Sequence, residues 1–237
     1  MKNKVGIVLL GAMLATQVGF ASPLTDYSAG KVSLDLNFVA DSKIKVTNKV
    51  ADYPNSSLQY DTKQHLDFNL TAGLGQGFGI NYGSISADSG WAYNSDTDNV
   101  SKYKVDFREF NLLKSLNKQS AVFVGMVQAK SDYTVQNPLD TSATFGVSSD
   151  RRTLWQIGLI GNTPISKDMN AYGAVAFGKD LTSYEIGLAQ KLNKNIELNI
   201  SYLEKRVKNL HFYDEAAGSF NQDVTFNGMH YGVTCKF

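Results

Sequence analysis

Met229-His230-Tyr231-Gly232-Val233-Thr234-Cys235-Lys236-Phe237 closes the chain. Met229, Tyr231, Val233, Cys235 and Phe237 stand at every second position, with His230, Gly232, Thr234 and Lys236 between them. Successive side chains of an extended strand point to opposite faces, so a spacing of two predicts a terminal strand with one apolar and one mixed polar face.

The same period recurs upstream. Val32, Leu34, Leu36 and Phe38 alternate with Lys31, Ser33, Asp35 and Asn37; Leu66, Phe68, Leu70 and Ala72 with His65, Asp67, Asn69 and Thr71. Further strands are predicted around Phe78, Ile80 and Tyr82; Tyr103, Val105 and Phe107; Thr153, Trp155, Ile157 and Leu159; Tyr184, Ile186 and Leu188; and Ile196, Leu198, Ile200 and Tyr202. Residues 120–130 and 170–178 are apolar on both faces and read as two more strands with no assignable outer side. Tight turns rich in Gly, Asn or Lys fall at 73–77, 115–119, 165–170 and 192–195. Between them lie mostly long polar connections at 41–62, 87–101, 131–150 and 207–222, with a short one at 179–183. Even-numbered antiparallel strands joined by alternately short and long connections are the pattern of a membrane-spanning barrel.

The start of the chain agrees. Lys2 and Lys4 precede an apolar run from Val5 to Phe20, and Gly19-Phe20-Ala21 has the small-x-small form of a cleavage site, so residues 1–21 are expected to be a signal peptide. With the terminal strand ending in Phe237, this resembles small bacterial outer-membrane β-barrel proteins, the porin-like and OmpA-like barrels taken broadly. The resemblance implies an all-β fold: an antiparallel up-and-down transmembrane barrel of about ten strands spanning residues 22–237, in the bacterial outer membrane. It further implies that Tyr231, Val233 and Phe237 form the insertion signal read by the barrel-assembly machinery, and that outer-membrane lipid surrounds a monomer. A soluble, lipocalin-like barrel would reverse the faces and put Lys104, Asp106 and Arg108 outside.

Composition restricts function. The chain has 237 residues with 23 basic and 22 acidic side chains. Without Lys2 and Lys4, 21 basic residues face 22 acidic ones, a net of −1, so no nucleic-acid partner is implied. Cys235 is the one cysteine, which excludes an intramolecular disulfide or a cysteine metal cluster; on the terminal strand it is expected to face lipid as an inert apolar side chain.

No catalytic constellation, metal site or cofactor motif is apparent. Asp96-Thr97-Asp98-Asn99 lacks the glycine and the bidentate Glu of a calcium loop, and Gly73, Gly75, Gly77 and Gly79 lead into a strand rather than a helix. The omptin proteases also have ten strands, with acid and His/Asp pairs at the outer rim; here His65 with Asp61 and His211 with Asp214 are the pairs to test, without a family motif around either. The faces opposite the apolar stripes assign Lys31, Asp35, Asp67, Lys104, Asp106, Arg108, Glu185, Glu197, His230 and Lys236 to the barrel lumen. Opposite charges there are expected to pair and brace the interior, because unpaired ones are costly. Residues 22–30 are too few for a plug domain. The expected function is structural, anchoring or surface-interacting, with Tyr53, Trp91, Tyr93 and Tyr133 as a contact surface for an unidentified loop partner. The alternative is a narrow porin-like channel.

Overall fold

The computed structural model describes residues 25–49, 56–94, 99–137, 140–214 and 218–237. The expected signal peptide, Tyr53, Asp96 and Asp98 lie outside the described residues. Twelve strand segments follow one another: β1 (Val32–Lys49), β2 (Ser56–Asp61), β3 (His65–Gly75), β4 (Phe78–Asn94), β5 (Asn99–Ser115), β6 (Ser120–Asn137), β7 (Asp140–Ser148), β8 (Arg152–Pro164), β9 (Met169–Gly178), β10 (Leu181–Lys191), β11 (Ile196–Asp214) and β12 (Gly218–Lys236).

All pairings are antiparallel, and β12 pairs with β1 to close a ring. The twelve segments occupy ten places in it. Strand β3 pairs with the lower part of β1 (Val32 to Val39) and β2 with its upper part (Lys43 to Asn48), so the two segments share one place. Similarly β8 pairs with Ser120–Ala129 of β6 while β7 pairs with Asp132–Asn137 above them. Pairing of β1 with β12 joins what would otherwise be the two open edges of the sheet.

Short turns are built where the sequence placed them. Gly75 and Gly77 take positive φ values of 92° and 76° with Gln76 at 54° between them, a left-handed conformation that glycine adopts without penalty. Asn117 Oδ1 accepts from the amides of Gln119 and Ser120, and Asn193 Oδ1 accepts from those of Asn195 and Ile196, the same side-chain turn twice.

The long connections differ from the expectation. Much of each is strand: β1 runs on to Lys49, β4 to Asn94, and β11 to Asp214, so the barrel wall continues far beyond the apolar belt. Only the β9–β10 hairpin stops early, between Gly178 and Leu181. Above it β7 reaches toward β11: Ser149 bridges Phe212, and the Asp150 amide donates to the His211 carbonyl at 3.1 Å. Arg152 fills the seam, donating to the carbonyls of Lys208 (2.5 Å) and Asn209 (3.0 Å) and pairing with Asp180. That guanidinium holds the Asp180 carboxyl below the usual carboxylate range.

The wall has two zones of opposite polarity. In the lower zone Leu36, Phe38, Leu70, Phe110, Leu112, Val124, Trp155, Ile157, Ile186, Leu188, Leu198, Tyr231 and Val233 are exposed on the outer face. The inner face there is polar, with Asp35, Asp67, Asn111, Gln156, Asn162, Asn199 and His230 buried. This is a lipid-facing belt around a polar lumen. It also settles the two ambiguous segments: Phe123 of β6 and Tyr172 and Ala176 of β9 are buried inside, whereas Val124 and Phe177 face out.

In the upper zone the polarity inverts. Val39, Ile44, Val46, Tyr103, Val105, Phe107, Val127, Val207, Leu210, Phe212, Val224 and Phe226 pack together inside the barrel. Lys104, Asp106 and Arg108 therefore lie outside, which corrects their assignment to the lumen. Lys104 pairs with Asp106 at 3.5 Å, Lys102 with Asp88 at 2.7 Å and Lys130 with Asp132 at 2.9 Å, a charged ladder across the outer face of β4, β5 and β6. Water wets this part of the wall, so the apolar side chains turn inward as in any soluble core.

Candidate functional site: a polar chamber in the lumen

Between the apolar upper core and the periplasmic end lies a cavity of about 170 Å³. Its wall is polar and internally bonded. Asn199 Nδ2 donates to Thr234 Oγ1 (3.0 Å), which donates to Asp35 (2.6 Å); Asn69 Nδ2 donates to the other Asp35 oxygen (3.4 Å). The chain continues from Asn81 to Asn69 (2.5 Å), from Asn111 to Asn81 (3.1 Å), and from Gln156 to Asn111 (2.8 Å) and Glu109 (3.2 Å). Glu109 of β5 then pairs across the lumen with Lys205 of β11. Side-chain amides donate and accept at once, so neighbouring strands can be laced together without adding charge.

Apolar side chains border it above and below. The roof is the lower surface of the upper core: the ring of Phe226 lies 5.9 Å from that of His65 and 6.3 Å from that of His230, and Lys205 Nζ sits 5.6 Å from the Phe107 ring centroid. Ile85 and Leu203 complete this side. The floor is Tyr27 with Leu113, Phe123, Ala176 and Ile160. Tyr27 comes from the segment before β1, which the sequence discounted as too short to plug the barrel. Its side chain enters the lumen all the same: Tyr27 is 1% exposed, its carbonyl accepts from the Gly75 amide at 2.9 Å, and Thr25 Oγ1 donates to the Lys118 carbonyl at 2.9 Å. Gly79 makes room for the ring, since a Cβ there would stand 2.8 Å from Tyr27 Cδ1.

The residues singled out from sequence are distributed as follows. Asp35, Asp67, Glu185 and His230 line the cavity. Glu197 is buried lower down, where it accepts from Lys236 Nζ at 2.8 Å. Lys31 is exposed at the periplasmic lip rather than in the lumen, because β1 only begins at Val32. Glu109 and Lys205, which form the cross-lumen pair, were missed. Lys205 continues the inward phase of Glu197, Asn199 and Ser201, a signal present in the sequence; Glu109 shares the face of Asn111 but also that of Tyr103, Val105 and Phe107, the apolar stripe that the sequence reading turned toward lipid. Tyr231 and Val233 face outward on β12 and Phe237 is exposed at its end. Cys235 is partly exposed on that outer face.

Of the two proposed protease pairs, the side chain of Asp214, the partner of His211, lies outside the described residues. His65 points inward and stands 3.5 Å from Asp67. His211 faces outward, 3.4 Å from Asn221 Oδ1. Of the aromatic contact surface, Trp91 (50% exposed) and Tyr93 (63%) are outward on β4, whereas Tyr133 is packed against Tyr103, ring centroids 6.0 Å apart.

A closed antiparallel ring with a lipid-facing apolar belt and an inverted upper zone defines the class: the chain has the fold of the bacterial outer-membrane β-barrels. Among solved structures it is similar to the outer-membrane protease OmpT of Escherichia coli, with a TM-score of 0.66 at 11% identity, over 92% of this chain and 99% of that one. Ail, the attachment invasion locus protein of Yersinia pestis, matches at a TM-score of 0.46 and 11% identity, over 88% and 99% of the two chains. OprG of Pseudomonas aeruginosa, an outer-membrane protein, matches at 0.31 and 13%, over 91% and 99%. At these identities the likeness is one of fold. No protein-family model matches the chain, and no curated protein sequence does.

Proposed function

We propose that this protein is a non-conducting outer-membrane barrel with a structural role, acting as a monomer that anchors a rigid water-exposed wall for contacts with partners of the cell surface. The observation that carries this reading is the filling of the barrel on either side of the polar chamber, by the apolar core that includes Phe107, Phe226, Ile85 and Leu203 above and by Tyr27 and Phe123 below. Side chains fill barrels of about eight strands, and aqueous channels are typical of 16 to 18, so ten places in the ring favour a filled interior. Trp91, Tyr93 and Tyr213 (65% exposed) offer contact area on the outer wall. The outward stripe of Tyr231, Val233 and Phe237 is the segment the assembly machinery would read, with lipid against the rest of the belt.

The second reading is a narrow channel, supported by the polar chamber itself. Conductance in planar bilayers separates the two. The wild-type barrel should be silent, and Tyr27→Ala with Phe123→Ala should remain silent because the roof is untouched. Stable discrete current steps from the wild type would replace the structural reading with the channel.

A further inference from the structure

The lumen holds more carboxylates than cations. Asp35, Asp67, Glu109 and Glu185 line the chamber and Glu197 is buried lower down, against the ammoniums of Lys205 and Lys236. Lys205 pairs with Glu109 and also faces Asp67, which has the Ser86 amide beside it. Lys236, which also faces Asp35, is held by Glu197 at 2.8 Å. The hydrogen bonds to the remaining two carboxylates come from neutral groups: Asp35 accepts from Thr234 (2.6 Å) and Asn69 (3.4 Å), and Glu185 has the Tyr172 hydroxyl at 3.5 Å and the Ser201 hydroxyl beside it. Neutral donors offset only part of the cost of a buried carboxylate.

Two further polar atoms of the chamber have no partner. Tyr27 is 1% and His230 4% exposed, both line the cavity, and among the described residues neither Tyr27 Oη nor His230 Nε2 makes a hydrogen bond. His230 Nδ1 stands 3.9 Å from Asp67 Oδ2. A carboxylate on that side favours the hydrogen at Nδ1, so Nε2 presents a lone pair to the chamber. The phenol oxygen of Tyr27 can accept as well. Surplus negative charge and unmet acceptors thus share one space, and the group that complements both carries several N–H donors and a positive charge. The chamber volume of about 170 Å³ sets its size. A protein cavity of about 150 Å³ holds one benzene molecule, so the ligand has about six heavy atoms.

We propose that the chamber is a binding site for a small organic cation, a guanidinium or a short alkylammonium ion, with Asp35 and Glu185 supplying the charge and Tyr27 and His230 accepting from its N–H groups. Every nitrogen of such an ion is a donor and none is an acceptor, which matches a lining of carboxylate, amide, phenol and imidazole acceptors. The site is separate from the outer wall that makes surface contacts, and it does not depend on whether the barrel conducts.

The test is equilibrium dialysis of the folded full-length barrel, in an uncharged detergent with sodium chloride present, against radiolabelled methylguanidinium. Uptake by the wild type should saturate at about one cation per chain. Ethylammonium should displace the label, whereas N-methylurea, neutral and of nearly the same shape as the probe, should not. Asp35→Asn with Glu185→Gln should weaken binding about tenfold or more, because a hydrogen bond to a charged group is worth at least a decade in affinity. Tyr27→Phe removes only the hydroxyl and should weaken binding by a smaller factor, and Asp106→Asn on the outer wall should match the wild type. A heat-shifted band on an unboiled gel establishes that each barrel has folded. Should the double variant fail to fold, Glu185→Gln alone takes its place beside Tyr27→Phe, each expected to bind more weakly than the wild type. No saturable uptake by the wild type, displacement by N-methylurea as effective as by ethylammonium, or chamber variants that bind as tightly as the wild type would each overturn the proposal and leave the carboxylates balanced by protons and water.

Discussion

Strand β5 passes through two solvents, and its two ends obey opposite rules. Near the periplasm Phe110 and Leu112 point out, 46% and 44% exposed, while Asn111 is buried inside. Farther up the same strand Phe107, Val105 and Tyr103 are buried inside, and Arg108, Asp106 and Lys104 point out. The backbone makes no bulge at the change; its register with β4 is continuous from Lys104 to Lys114 and with β6 from Val100 to Ser115. What changes is the phase of the sequence, which slips by one residue across Phe107-Arg108-Glu109-Phe110. The same slip occurs at Phe38-Val39 on β1, where Phe38 is 41% exposed and Val39 fully buried, and at Tyr202-Leu203 on β11. A phase slip in an otherwise regular alternation thus marks where the wall leaves the lipid. Lipid requires an apolar outer face and tolerates a polar lumen, whereas water requires the reverse.

The contrast can be broken from either side. The largest effect is expected from Phe107→Ala, which empties a fully buried site in the upper core and should cost about 3–5 kcal/mol. Equilibrium unfolding of the refolded barrel measures it; an unchanged midpoint would mean that the upper zone is not a packed core. Next comes Ile186→Arg on the lipid face of β10, expected to cost about 2–4 kcal/mol near the bilayer midplane and much less near an interface. This penalty should appear in bilayers, and its absence there would place β10 outside the membrane. The smallest effect belongs to Asp106→Asn with Arg108→Gln. These side chains stand on the water-exposed outer wall, where ion pairs contribute about 0–1 kcal/mol, so stability should shift by less than about 0.5 kcal/mol. A loss of several kcal/mol would return both residues to the lumen and undo the two-zone description.

Most of the ring was legible because hydrogen-bonded strands impose a period of two on any wall with unlike faces. The turns at Asn117 and Asn193 were legible because their chemistry is local. The upper strands were not: Lys43, Lys45, Asp88 and Lys102 make those stretches polar on one face, and long polar stretches with few apolar residues read as loops. Assigning Lys104, Asp106 and Arg108 to the lumen followed from carrying one phase through a strand that changes phase.

The site was less legible than the fold. Asp35, Asp67, Glu185 and His230 could be assigned to an inner face from alternation alone. Their partners could not, because Glu109 and Lys205, or Asp67 and His230, come from strands far apart in the chain that meet only when the ring closes. The place of Tyr27 in the lumen likewise depends on Gly73 and Gly79 leaving space on strands that follow it.

The amino-acid sequence by itself determined the strands, their order and their short turns, since each follows from side-chain period and local backbone preference. Which face meets lipid, which meets water, and which charges meet one another inside were decided by the tertiary structure, because the same alternation satisfies either solvent until closure of the barrel fixes an inside.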